Sequence, residues 1–156
     1  MTAIFLEPWA RVLVLLHAAA AIVLIGATTH HCLVTVGNLR GRFKPRLGRI
    51  YAATSAIAYG ATFVLGALAY PTFRYHVRGL YLDRHAAWAS NLFDIKENFA
   101  SIGIPLVVGA LVLSRVMDVK RDRPMLMGYA VMVFGTTIIV WFNVISGLLI
   151  TMVKGV

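Results

Sequence analysis

The chain has 156 residues, 60% of them apolar, with a formal charge of +9 and a mean hydropathy of +0.79. Soluble domains hold about 45–50% apolar residues, so a soluble catalytic module has no room here. The positive charge lies in short segments beside long apolar runs, which excludes a nucleic-acid-binding reading and points to topology-setting charges.

Four stretches contain no Asp, Glu, Lys or Arg: Val12–Val36, Tyr51–Tyr70, Asn98–Ser114 and Met125–Val153. A helix needs roughly 20 mostly apolar residues to cross a hydrocarbon core about 30 Å thick. The expected fold is therefore an all-α integral membrane protein: a four-transmembrane-helix bundle with spans over 11–36, 50–70, 96–115 and 126–152 in a single membrane domain, 1–156. The first run is too long for the core of a cleaved signal peptide. It is expected to stay as span one. Cys32 is the only cysteine, so no internal disulfide forms.

Span one carries His17, His30 and His31. Ionisable groups inside spans are costly and are the first place to look for a site. His17 and His31 stand about 40° apart around a helix and about 21 Å apart along it. They share a face at opposite depths, the spacing a helix uses to ligate two stacked haems. Spans two, three and four contain no histidine. Two bis-histidine b-type haems within one subunit are thereby excluded, while one haem near His17, or haem shared with a partner, stays open. The simpler reading of His30 and His31 is tolerance of polar residues near the headgroups.

The link from span one to span two holds Arg40, Arg42, Lys44, Arg46 and Arg49; the link from span three to span four holds Arg115, Lys120, Arg121 and Arg123. Nine of the fifteen basic residues thus lie in two short segments. The positive-inside rule puts the 37–49 and 115–124 links in the cytoplasm and both termini outside, as in a bacterial plasma (inner) membrane. The two links resemble each other over Arg42–Leu47 and Arg121–Leu126. First-turn proline accounts for the likeness without a duplicated hairpin.

The 71–97 connection mixes arginines with Phe73, Tyr75, Tyr81, Trp88 and Phe93. Aromatic rings and snorkelling arginines favour the headgroup zone. A short interfacial helix is expected over 80–93, leading into span three.

Span three is preceded by Asp94, Lys96 and Glu97 and contains Pro105. Asp94, Glu97, Asn98 and Ser101 form one stripe at helical spacing, with Lys96 off it and free to snorkel outward or to pair with an acid elsewhere. At matching depth lie His17 and, on span four, Asn143. His17, His85, Glu97, Asn98, Ser101 and Asn143 are the candidate cofactor-binding residues of an outer-half polar pocket. The bland alternative is a hydrogen-bonded packing network between helices. His17 and His31 are the candidate haem ligands; no HxxxH, HExxH or CxxC spacing occurs, and the dinucleotide and phosphate-binding loops are absent.

Three functions fit these features. One is an accessory or scaffold subunit of a larger membrane complex, embedded in the lipid bilayer with membrane-protein partners or as a homo-oligomer, and not a stand-alone enzyme. Another is a redox-linked subunit binding b-type haem or quinone near His17. The third is a carrier of protons, ions or a small solute.

Overall fold

The computed structural model describes residues 4–155. A 3-10 turn, Glu7–Trp9, leads into α1, Ala10–Leu39. Helix α2 follows over Pro45–Thr72, α3 over Ala87–Val116 and α4 over Arg123–Val153. There are four helices long and apolar enough to cross a membrane, and no strand among the described residues. The chain is an integral membrane protein built as an all-α bundle.

At about 1.5 Å per residue, each helix exceeds the hydrocarbon thickness. The helices pack in a ring: α1 lies against α2 and α4, and α3 lies against the same two. Small residues allow the close approach. A Cβ at Gly103 on α3 would overlap the Tyr59 hydroxyl of α2, and one at Gly109 would come within 2.6 Å of Met132 Sδ on α4.

Short links join the helices at one end. Helix α1 ends in a Schellman motif, with the Arg42 N–H donating to the Gly37 carbonyl (2.8 Å) and the Gly41 N–H to that of Asn38 (3.1 Å). Gly41 adopts φ 81°, a conformation that costs glycine nothing. The Asn38 side chain then accepts from the Lys44 N–H at 2.8 Å, tying the end of α1 to the start of α2. Pro45 and Pro124 stand in first turns, where a missing N–H is no loss. In the second link the Asp122 carboxylate accepts from the Asp118 N–H at 2.9 Å. Met117 and Val119 bury themselves there against Leu126 and Tyr129.

The opposite end differs from expectation in detail. The 71–97 connection is helical, but a separate surface helix over 80–93 does not form. Helix α2 runs on through Pro71 into a π-helical stretch, Phe73–Leu82, and one further turn, Asp83–His85. The break comes at Ala86 (φ −149°, ψ 59°), and α3 begins at once. Packing explains this. Val77 and Leu82, five residues apart and so stacked by a π-helix, are both fully buried against Ala89 and Ile150. Arg78 then clasps Asp94 with two bonds of 2.6 and 2.8 Å, and Ser90 donates to Asp83. These contacts draw the connection onto the end of the bundle.

Candidate functional site

Polar side chains occupy two levels of the bundle, with an apolar layer between them. The first level is in the half nearer the termini. His17 of α1 is half-buried, and its Nδ1–H donates to the Thr62 carbonyl of α2 at 2.8 Å. Gly66 makes room for the ring: a Cβ there would stand 3.1 Å from His17 Cε1.

Lys96 is half-buried, and its stem packs within the bundle. Its stem lies beside Gly147 of α4, 3.6 Å from where a Cβ would be. Its ammonium sits 5.5 Å over the Phe93 ring. Among the described residues it has no carboxylate within 4.0 Å. The reason is the choice of face on α3. Beyond Lys96 the buried residues of this helix are Gly103, Val107, Ala110 and Ser114, and all fall within about 40° of Lys96 around the axis. The face that lets helices approach carries the lysine in with it.

The stripe of Asp94, Glu97, Asn98 and Ser101 lies on the other side, about 100–200° from Lys96. Asp94 is held by Arg78. Glu97 is half-buried, within electrostatic range of Lys96, Arg78 and Arg74. Asn98 and Ser101 are exposed, and Ser101 donates to the Glu97 carbonyl of its own helix. Asn143 is half-buried one turn before Gly147 and donates to the Ile139 carbonyl at 2.9 Å. His85 is exposed at the tip of the α2 extension, tilted against Tyr81. Of the six candidate residues, Asn143 stands one helical turn from Gly147, which the Lys96 stem approaches, and Glu97 is the neighbour of Lys96 in sequence.

The second level is nearer the basic links. His31 is only 3% exposed, and its Nε2 lies 2.5 Å from the Tyr129 hydroxyl of α4. A Cβ at Gly48 of α2 would touch the same hydroxyl at 3.4 Å, so this oxygen sits where three helices meet. Thr35, fully buried, donates to the His31 carbonyl. His31 is therefore buried between the helices rather than open on the surface. His30 is the exposed member of the pair, stacked on Tyr51 with its Nδ1–H given to the Gly26 carbonyl. Nothing in the apolar run around Tyr129 marked it as the partner of His31.

Between the two levels lies a layer of Leu24, Ala58, Val107 and Val140, with Tyr59 donating to the Ala100 carbonyl at 2.7 Å. Among the described residues, no three His, Cys, Asp or Glu side chains converge as a metal site would require.

Comparison with known protein families, characterised proteins and solved structures gives no match to this chain.

Proposed function

We propose that this chain is a small accessory subunit of a larger membrane complex. In this reading it holds a small ligand with an electronegative head between His17 and Lys96. The carrying observation is Lys96, whose stem packs beside Gly147 in the same half of the bundle as His17 and whose ammonium has no carboxylate in ion-pair range among the described residues. A cation kept inside a bundle without a partner is costly and marks a place for an acceptor from outside the chain. Lysine supplies a compact point charge with three donors. His17 spends Nδ1 on Thr62, which leaves Nε2 for a ligand. A quinone head, whose carbonyl oxygens accept hydrogen bonds and whose tail is at home in lipid, belongs to this ligand class.

The carrier reading is weaker, because the layer of Leu24, Ala58, Val107 and Val140 separates the two polar levels. The haem reading keeps one specific support. A histidine whose Nδ1–H is fixed on a backbone carbonyl presents Nε2 in the way metal-bound histidines do.

Orientation belongs to the same proposal. The concentration of basic residues in the two links favours a cytoplasmic position for them, with both termini outside, in a plasma membrane of bacterial type.

Two measurements on protein purified in mild detergent test the reading. A short-chain quinone is titrated into wild type, Lys96→Gln and His17→Phe. Saturable binding by wild type that both variants lose supports the site. Equal binding by all three, or binding by none, removes it. Oxidised and dithionite-reduced visible spectra address haem. A Soret band lost in His17→Ala would move the assignment to haem.

A further inference from the structure

At the termini end, where α2 passes into its π-helical extension, the surface opens into a groove of about 550 Å³. Tyr70, Pro71, Arg74, Tyr75, Gly79 and Leu80 line it. Gly79 adds no side chain to the lining, and a Cβ there would press on the Arg74 carbonyl of its own helical stretch at 3.3 Å. The polar and apolar parts of the groove are separated. Arg74 is exposed, and among the described residues it makes no ion pair. Its neighbour Arg78 is fully engaged by Asp94 and Asp83. Glu97 acts on Arg74 through space, but it stands beyond ion-pair distance and outside the groove lining.

Depth defines the kind of ligand. Arg74 is the residue that ends the charge-free stretch beginning at Ile50, which is headgroup level in a spanning helix. Tyr70 and Tyr75 bring phenolic donors to the same level. Toward the membrane centre, Ile57 and Val64 are 74% and 56% exposed. With Pro71 they recur every seven residues, so an apolar track on the lipid-facing side of α2 runs directly into the groove. A cation at the top, phenols beside it and an apolar track beneath match an anionic phospholipid. The phosphate takes the top and an acyl chain the track.

We propose that this groove seats one anionic phospholipid, its phosphate on the Arg74 guanidinium and its glycerol region against Tyr70 and Tyr75. General electrostatic attraction does not account for such a preference. The same end of the molecule carries Glu7, Asp83, Asp94 and Glu97 against Arg11, Arg74, Arg78, Arg84, Lys96 and Lys154, a small net excess spread over the whole end, so the recognition is local to the groove.

The test uses the full chain in nanodiscs holding equal amounts of phosphatidylglycerol and phosphatidylcholine, with retained lipid read by native mass spectrometry. Wild type and Arg84→Gln are expected to retain phosphatidylglycerol in preference to phosphatidylcholine. Arg74→Gln should lose that preference, and Arg74→Lys should keep part of it. Arg74 is exposed, so the variants fold, which an unchanged elution volume verifies. Equal retention of the two lipids by wild type overturns the proposal. So does a preference that survives in Arg74→Gln. Inorganic phosphate alone is run in parallel. If millimolar phosphate strips the retained lipid, the groove recognises a free anion and the lipid assignment is wrong.

Discussion

His31 and Tyr129, ninety-eight residues apart in sequence, are joined by a 2.5 Å hydrogen bond in the buried half of the bundle nearest the basic links. The bond fastens α1 to α4 where Gly48 brings α2 against the same oxygen. Tyr129 is 1% exposed, so removing its hydroxyl leaves the imidazole nitrogen with no water to replace it. Tyr129→Phe is expected to destabilise the fold by about 1–2 kcal/mol. Tyr51→Phe, on the stack with exposed His30, should cost close to nothing. Unfolding in mixed detergent compares the two. Equal losses would mean that the buried bond carries no stability.

Two glycine substitutions should shift stability in opposite directions. A Cβ at Gly103 overlaps the Tyr59 ring of the neighbouring helix, while one at Gly60 meets nothing within 4 Å. Gly103→Ala therefore forces α2 and α3 apart and is expected to cost about 1–3 kcal/mol. Gly60→Ala gains helix propensity, about 0.5–1 kcal/mol in the folded state's favour. The measurement is again the unfolding midpoint, and a loss at both positions would contradict the packing described for α2.

These packing relations also show how far the sequence could be read. The four spans were legible, because charge is excluded from lipid and collects where helices end. Which face of each helix turns inward was much harder to see. In a soluble helix the apolar stripe marks the core; in a membrane both faces are apolar, and small residues mark the inward one. On α3 the polar stripe of Asp94, Glu97, Asn98 and Ser101 drew attention, while Gly103, Val107, Ala110 and Ser114 actually face the bundle and bring Lys96 with them. The depth of His31 was hidden for a related reason. The expected span ends at 36, but the helix continues to Leu39 and its Schellman turn, and His31 is buried between the helices. The π-helical extension was not legible at all, since it depends on Val77 and Leu82 finding Ala89 and Ile150.

The clasp between Arg78 and Asp94 should act locally. The Asp94 side chain is 46% exposed, so solvent screens the pair and its removal is expected to cost about 1 kcal/mol or less of global stability. Its effect lies in holding the π-helical stretch onto α3. Asp94→Asn should raise amide hydrogen exchange across 73–93 while leaving α1 and the inner halves of the spans unchanged. Added salt should move wild type in the same direction. Uniform exchange changes throughout the bundle would place the clasp among the global determinants of the fold.

Lys96 gives the sharpest separation of function from stability. Its stem packs beside Gly147, and its ammonium has no ion-pair partner among the described residues. Methionine reproduces the stem and removes the charge. With no ligand present, Lys96→Met is expected to stabilise the fold by about 1 kcal/mol, because an unpaired charge no longer needs to be held out of water. The same variant should lose the quinone binding proposed for wild type, a gain in stability at the expense of a site. Thermal unfolding and ligand titration on one preparation read both effects. A destabilised Lys96→Met would mean instead that the ammonium's place over Phe93 is structural. The polar cluster around His17 would then be a packing network and not a binding site.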